Sequence, residues 1–169
     1  MGAIPFPSAV AKALQNLPTV KFKLADGVTL PQRSSGGAAC YDLIATGVTH
    51  NPDGTAICST GVQVELPSGW AMLIYSRSGM GFNASTRLVN SVGVIDEDYR
   101  GEILVKLVND KPGYMAQTKD EKTKQLRNVQ AGDKVAQFMI VPVFQLPFET
   151  VEELTDTDRG ESGFGSTGA

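Results

Sequence analysis

Short apolar runs separated by turn residues fill most of the chain, and several of them alternate apolar and polar positions with the period of a half-buried β-strand. A strong turn signal, NPDGT, stands at residues 51–55. With 18 Gly and 9 Pro and no helical period between the runs, the pattern predicts an all-β fold, a jelly-roll-like distorted β-barrel with little helix. Strands are predicted at 19–24 (TVKFKL), 41–46 (YDLIAT), 57–67 (ICSTGVQVELP), 69–76 (GWAMLIYS), 87–95 (RLVNSVGVI), 102–109 (EILVKLVN) and 134–144 (KVAQFMIVPVF).

The length of 169 residues predicts one domain with extensions. Residues 1–18 form an N-terminal extension with a short helix predicted at 8–16, and residues 19–154 form the β-domain. The polar stretch 110–128 is predicted to be a surface insert, an exposed hairpin or loop whose simplest interpretation is a solvated excursion. Residues 155–169 hold almost no apolar side chain, so we expect a flexible arm that becomes ordered over a bound ligand.

Composition excludes several classes of function. The net charge of −3 and the pI of about 5.1 argue against a nucleic-acid-binding protein. No apolar run approaches the roughly 20 residues of a membrane span, and no secretion signal is recognised, so we expect a soluble cytoplasmic protein without a membrane partner. Two cysteines without a C-x-x-C pattern favour a reducing compartment. His50, the only histidine, lies in THNPDG and is predicted to be a solvated loop residue, which disfavours a Ser-His-Asp mechanism.

The string GVIDEDYRG, residues 93–101, crowds three carboxylates into one turn between apolar runs. The simplest interpretation is a solvated β-turn. A second interpretation is a calcium loop. It is disfavoured because Arg100 stands at the third ligand position and because strands rather than helices flank the turn. The third is a hairpin whose acidic residues face a polyphosphate and its metal ion.

Two other segments carry groups suited to phosphate. SRSGMG (76–81) places Arg77 beside a hydroxyl and glycine backbone, a combination that suits an anion cradle. GFGSTG (163–168) satisfies G-x-G-x-x-G but lacks the strand and helix of a dinucleotide site. It still offers two hydroxyls, an aromatic ring at Phe164, and Arg159 nearby.

Taken in order, five segments resemble the motifs of the trimeric dUTPase family over roughly residues 20–168. Cys40 is a departure, because the first motif of the family usually has Gly there. The five segments are AACYDL, YSRSGMG, NSVGVIDEDYRGE, GDKVAQFMI and RGESGFGSTG.

The resemblance implies that the chain hydrolyses dUTP to dUMP and pyrophosphate, which limits uracil incorporation into DNA and supplies dUMP for dTMP synthesis. Asp96 matches the carboxylate that activates the attacking water, and Asp42 matches a position that supports Mg²⁺ through water. Tyr99 matches the ring that packs on the deoxyribose and excludes a 2′-hydroxyl. Within the turn, Asp98 is expected to fix the turn or pair with Arg100, and Glu97 to face solvent. The residues implied to bind substrate are Asn90, Gly93, Val94 and Ile95 for uracil, Arg77, Ser78, Gly79 and Gln137 for the phosphates, and Arg159, Phe164, Gly165, Ser166 and Thr167 in the arm.

The resemblance also implies a homotrimer with sites shared between subunits, the arm of one closing over the site of another. Two alternatives stay open at this point. A dCTP deaminase is disfavoured by the Asp-Tyr hairpin and the complete GFGSTG arm. A nucleotide-responsive interaction protein would use the insert at 110–128 to bind its partner.

Overall fold

The structure, a computed structural model, describes residues 17–162, and the described part is nearly all β with one short helix. The predicted all-β class is confirmed. The predicted helix at 8–16 lies outside the described residues. The elements are β1 Lys21–Leu24, β2 Tyr41–Ile44, β3 Gly47–His50, β4 Ala56–Ser59, β5 Val62–Glu65, β6 Trp70–Tyr75, α1 Ser78–Ala84, β7 Thr86–Leu88, β8 Val92–Ile95, β9 Leu104–Asn109, β10 Gln117–Lys119, β11 Leu126–Asn128 and β12 Lys134–Pro142.

Two four-stranded antiparallel sheets form the body of the molecule. The first sheet has the order β2-β12-β6-β8 and the second the order β3-β4-β9-β7. Two further antiparallel pairs, β1-β5 and β10-β11, complete the strands. Because β2 and β8 remain the edges of the first sheet, the described strands do not close into a barrel. No helix among residues 17–162 is long and apolar enough to cross a bilayer.

The core lies between the sheets and follows from the alternation of the strands. In β4 and β9 alternate side chains are buried, including Cys58, Val105 and Leu107. Phe138 of β12 is 1% exposed, and its ring stacks on that of Tyr41 with centroids 5.3 Å apart. Burial of such side chains contributes roughly 1.5–3 kcal/mol each, so the sheets are held together by the positions that the sequence pattern marks.

Two predicted strands are each broken in two by a residue with positive φ. The run 57–67 divides at Gly61, with φ +66°, where an added Cβ would lie 2.7 Å from Val28 Cγ2. The run 87–95 divides between β7 and β8, where Ser91 has φ 62°. Apolar periodicity continues through both breaks, so it marks the strands and misses the turns.

β3 and α1 were not predicted, and β3 corrects the expectation for His50. His50 ends β3, where its Nε2 lies 2.8 Å from the Val129 carbonyl oxygen. Its Nδ1 is buried and has no hydrogen-bond partner within residues 17–162. The prediction of a solvated loop residue is therefore wrong, because the ring packs against the chain that follows the insert.

The insert, for which an exposed hairpin or loop was predicted, contains the β10-β11 hairpin and has an exposed tip and a buried base. Between β10 and β11 the side chain of Asp120 accepts bonds from the amides of Lys122 and Thr123, at 2.9 and 2.7 Å. These amide bonds, together with the guanidinium of Arg127, lower the pKa of Asp120 to about 2. At the base, Ala116 is 0% exposed. The interpretation as a solvated excursion thus holds for the tip and is wrong for the base.

Candidate active site

A group of three charged side chains, Asp42, Arg77 and Lys134, lies at one end of the first sheet and is called the charged cluster below. β2 pairs with β12, which places Asp42 opposite Gln137. The Asp42 carboxylate accepts from Arg77 Nε at 3.0 Å and from Lys134 Nζ at 2.8 Å. Its side chain is 13% exposed. Two cations share one carboxylate, so the cluster keeps a surplus positive charge of the kind that attracts phosphate.

Hydrogen bonds hold the segment that carries Arg77 on both of its sides. Gln137 Nε2 donates to the Ser76 carbonyl oxygen at 2.9 Å, and the Ser76 hydroxyl accepts from the Leu88 amide at 2.9 Å. Ser78 and Gly79 follow directly and begin α1. The structure thus brings Asp42, Arg77, Ser78, Gly79 and Gln137 together. Sequence reasoning missed Lys134 and Ser76; the only available signal was their place inside the GDKVAQFMI and YSRSGMG segments.

The four residues implied to recognise the base line one cleft of about 310 Å³ beside β8. At Gly93 an added Cβ would lie 3.2 Å from Ile74 Cβ and 3.6 Å from Asn90 Nδ2. Any larger residue would therefore crowd the wall of the cleft. Asn90, Gly93, Val94 and Ile95 all line this space, as a binding surface for a planar base requires.

The acidic turn, residues 96–99, begins where β8 ends, and its backbone closes with the Tyr99 amide donating to the Asp96 carbonyl oxygen at 3.2 Å. Asp96 is exposed. Tyr99 is 43% exposed, and its hydroxyl donates to the Glu102 carbonyl oxygen at 3.0 Å. The turn therefore presents a carboxylate and an aromatic ring to solvent on a backbone that is hydrogen-bonded to itself.

The expectation for Glu97 is wrong, and of the two alternatives for Asp98 the structure of residues 17–162 does not have the pair with Arg100. The Glu97 carboxylate does not simply face solvent, because it accepts from the Gly69 amide and from the Ser68 hydroxyl, the latter at 3.2 Å. Arg100 forms no ion pair with Asp98 in the described structure; its guanidinium donates to the carbonyl oxygens of Glu97 and Tyr99, at 2.6 and 3.0 Å. The main-chain carbonyl oxygens of the turn bind the guanidinium of Arg100, which sequence spacing does not reveal.

The charged cluster and the acidic turn lie at opposite ends of the first sheet. β6 and β8 pair with Tyr75 opposite Val92 and Met72 opposite Ile95. Arg77 follows β6 at the first end, and Asp96 follows β8 at the other. At about 3.3 Å per residue the two positions are separated by roughly 20 Å along the strands, far beyond a hydrogen bond. One chain therefore does not bring Asp96 and Arg77 together.

The residues present fit a metal ion that substrate phosphates hold. No group of three His, Cys, Asp or Glu side chains in residues 17–162 could bind an ion by itself. Both Asp42 oxygens already accept one bond each from a cation, and each keeps a lone pair that can accept from a water of a hydrated ion. Mg²⁺ characteristically keeps several waters and takes few protein carboxylates.

Of the predicted residues in the arm, only Arg159 is described. It is exposed, and its Nε donates to the Ser162 carbonyl oxygen at 2.9 Å. Phe164, Gly165, Ser166 and Thr167 lie outside the described residues.

Comparisons with known proteins agree on one family. A family model described as dUTPase matches residues 26–168. Deoxyuridine 5'-triphosphate nucleotidohydrolase of Anaplasma marginale is 39% identical over 152 residues, covering 86% of this chain and 95% of that protein. The enzyme of the same name from Corynebacterium glutamicum is 40% identical over 147 residues, covering 86% and 91%.

Solved structures of phage proteins share the fold. The dUTPase of Staphylococcus bacteriophage 80alpha, solved with dUpNHpp, has a TM-score of 0.73 at 29% identity and covers 90% of this chain and 100% of its own. A mutant dUTPase from phage phi11 of S. aureus, described with a structural Mg(II) ion, has a TM-score of 0.63 at 25% identity and covers 80% and 98%.

Proposed function

The chain belongs to the dUTPase family, and from that premise we propose that it hydrolyses dUTP to dUMP and pyrophosphate, with Asp96 as the base that activates water. The observation that carries the proposal is the β8 segment, where the cleft-lining residues Asn90, Gly93 and Ile95 are followed directly in the chain by the exposed Asp96. Such hydrolysis limits uracil in DNA and supplies dUMP for dTMP synthesis.

The proposed chemistry needs one base and a held phosphate chain. Water is a poor nucleophile, and a carboxylate within about 3 Å takes its proton as it attacks the α-phosphorus. Pyrophosphate leaves with the electron pair of the broken P–O bond. The remainder of the catalysis is positioning and neutralisation of charge on the phosphoryl oxygens. Asp96 suits the first task because it is exposed and takes part in none of the ion pairs within residues 17–162.

Substrate selection is assigned to the cleft and to Tyr99. Uracil presents acceptors at O2 and O4 and a donor at N3, and cytosine differs at N3 and position 4. A cleft with matched polar groups rejects the wrong base because its own donors and acceptors would lose their partners. Tyr99 is held at its hydroxyl by the Glu102 carbonyl oxygen, which leaves its ring to pack on deoxyribose and to exclude a 2′-hydroxyl.

Arg77, Ser78 and Gly79, with Gln137 assisting, are proposed to hold the α- and β-phosphates. Lys134 joins them, since it shares the Asp42 carboxylate with Arg77. Mg²⁺, when bound to the phosphates, would neutralise their charge, and Asp42 would reach it through water. Arg159, Phe164, Gly165, Ser166 and Thr167 are proposed to close over the nucleotide.

A homotrimer with shared sites is the assembly that we propose. The separation of Asp96 from Arg77 within one chain supports it, because a second copy must then supply one of the two groups. The chain after β12 also supports it, since Phe144, Leu146 and Phe148 are 81%, 71% and 99% exposed. Exposed apolar side chains of this size in succession mark a surface that another protein covers.

The test of the activity is product analysis. Purified protein is mixed with dUTP and Mg²⁺, and dUMP and pyrophosphate are measured, with Asp96→Asn as the negative control. Equal yields of the two products are expected, with slow turnover of UTP and no ammonia from dCTP. Release of ammonia from dCTP would identify a deaminase, and release of orthophosphate from dUTP would mean that a different phosphate bond is cleaved. Either result would refute the proposed reaction.

A further inference from the structure

The insert meets α1 at a buried group of hydrogen bonds. Thr86 is 0% and Asn109 7% exposed. The Asn109 Nδ2 donates to the carbonyl oxygens of Ala84 and Met115, at 2.9 and 3.2 Å, and lies 3.3 Å from Thr86 Oγ1. The Thr86 hydroxyl in turn accepts from the Gln117 amide at 3.0 Å. The end of the helix, the end of β9 and the start of the insert therefore share one network.

The turn at residues 51–55 contacts the base of the insert and fixes its position. Gly54 has φ +83°, and an added Cβ there would lie 2.9 Å from the Tyr114 carbonyl oxygen. The Gly54 carbonyl oxygen accepts from the Ala116 amide at 3.1 Å, and the Ala116 carbonyl oxygen accepts from the Val129 amide at 3.1 Å. His50 contacts the Val129 carbonyl oxygen as described above. The base is thus held by β3, by the turn at 51–55 and by the Thr86–Asn109 pair.

α1 depends on such support because its own sequence is a weak helix former. It has seven residues, SGMGFNA, with two glycines. Arg77 at its N-cap makes no side-chain capping bond, and the first turn holds no acidic residue. Isolated helices shorter than about 12 residues are marginal even with good sequences. The place of α1, and of Arg77 and Ser78 at its start, is therefore set by tertiary contacts.

We propose that Asn109 and Thr86 are positioning residues that hold α1, and through it Arg77 and Ser78, at the triphosphate, with the base of the insert as part of the same support. The inference rests on the proposed function, which assigns Arg77 and Ser78 to the phosphates. The tip of the insert, residues 120–125, takes no part, since its bonds are internal to the hairpin.

The test compares Asn109→Ala with Asn128→Ala, a substitution of an exposed asparagine at the end of β11. Asn109→Ala should weaken binding of the non-hydrolysable analogue dUpNHpp by about tenfold, the scale set by a lost buried hydrogen bond. The inhibition constant of deoxyuridine, which has no phosphate, should stay unchanged. Asn109→Asp keeps the Oδ1 that accepts from the Lys111 amide at 2.9 Å but loses the donor, so it should behave like Asn109→Ala. The control, Asn128→Ala, should bind dUpNHpp and deoxyuridine with the affinities of the wild-type protein.

Two versions of the insert then separate tip from base. Lys119 and Leu126 are paired, so Asn-Gly can replace residues 120–125 as a two-residue hairpin turn. This tip variant should bind dUpNHpp like wild type. The base variant, in which a short Gly-containing turn replaces residues 111–128, removes Met115 and Gln117 from the network. Like Asn109→Ala, it should bind dUpNHpp more weakly while its affinity for deoxyuridine stays unchanged. Circular dichroism and Tm establish that each variant folds.

The outcomes are distinct. The positioning role would be overturned if Asn109→Ala weakened the binding of dUpNHpp and of deoxyuridine to the same extent. It would also be overturned if a folded base variant bound dUpNHpp with wild-type affinity. If the base variant does not fold, Thr86→Val, which removes the hydroxyl with little change in shape, is used instead. Failure of the wild-type protein to hydrolyse dUTP would refute the proposed function instead, and the binding comparison still reports on the network.

Discussion

The two ends of the first sheet carry opposite kinds of polar surface. At one end, Asp42, Arg77 and Lys134 are already paired with one another, and Asp42 is mostly buried. At the other, Asp96 and Tyr99 are exposed on a turn that is closed by the backbone hydrogen bond from the Tyr99 amide to the Asp96 carbonyl oxygen. Paired charges fixed in advance suit the binding of a charged ligand with little rearrangement, whereas an unpaired carboxylate suits proton transfer. One chain therefore presents two polar surfaces of different character, which we propose to be two half-sites.

The strongest test of this contrast is Asp96→Asn. The amide cannot take a proton from water, so kcat should fall by at least about 10²-fold, the usual scale for losing a general base. Affinity for dUpNHpp should remain near wild type, because the charged cluster is untouched. Calorimetry beside steady-state kinetics measures both quantities. Near-native turnover would remove Asp96 from the mechanism.

Mixing two inactive variants tests whether the half-sites meet across subunits. Arg77→Ala and Asp96→Asn, each nearly inactive alone, are co-refolded in equal amounts. In random trimers with shared sites, about a quarter of the sites would pair an intact Asp96 with an intact Arg77 from a neighbour. We expect turnover near that fraction of wild type. Mass spectrometry that shows mixed oligomers without recovered activity would place both groups in one chain's own site.

Tyr99→Ala sharpens the comparison at the acidic turn. Loss of the ring should lower the ratio of kcat/KM for dUTP to kcat/KM for UTP by about tenfold. Without the ring that excludes the 2′-hydroxyl, both deoxyribose and ribose fit the site. The ratio is measured by competition in one reaction. Tyr99→Phe is the matched control: it keeps the ring and removes only the hydroxyl bonded to Glu102. An unchanged ratio in the alanine variant would assign sugar selection to another residue.

Lys134→Ala should have the smallest effect. It removes one of the two cations on Asp42, and its side chain is 42% exposed, so solvent screens its charge. We expect KM for dUTP to rise by only a few-fold with kcat preserved, and the rise to shrink at high salt. Kinetics at two ionic strengths measure it. A large fall in kcat would give Lys134 a role at the reacting centre.

The sequence predicted the strands well because burial on one face of a strand leaves an apolar period. It missed α1 because SGMGFNA has no strong helical tendency, and contacts with Thr86 and Asn109 support it. It also missed Lys134 at Asp42, since the two are 92 positions apart in the chain and only the β2-β12 register brings them together. Side chains bonded to distant main chain, such as Glu97 at Gly69, leave no local pattern.

The burial of Cys58 in β4 has a practical consequence for chemical labelling. Cys58 is 0% exposed, and burial raises the pKa of its thiol to about 11. Thiolate is the reactive form, so Cys58 in the folded protein should resist maleimides at neutral pH. Cys40, two positions before Asp42 and partly exposed, is the other cysteine of the chain. The native protein should therefore take one label and the denatured protein two, which offers a fluorescent reporter beside Asp42 without any engineered cysteine.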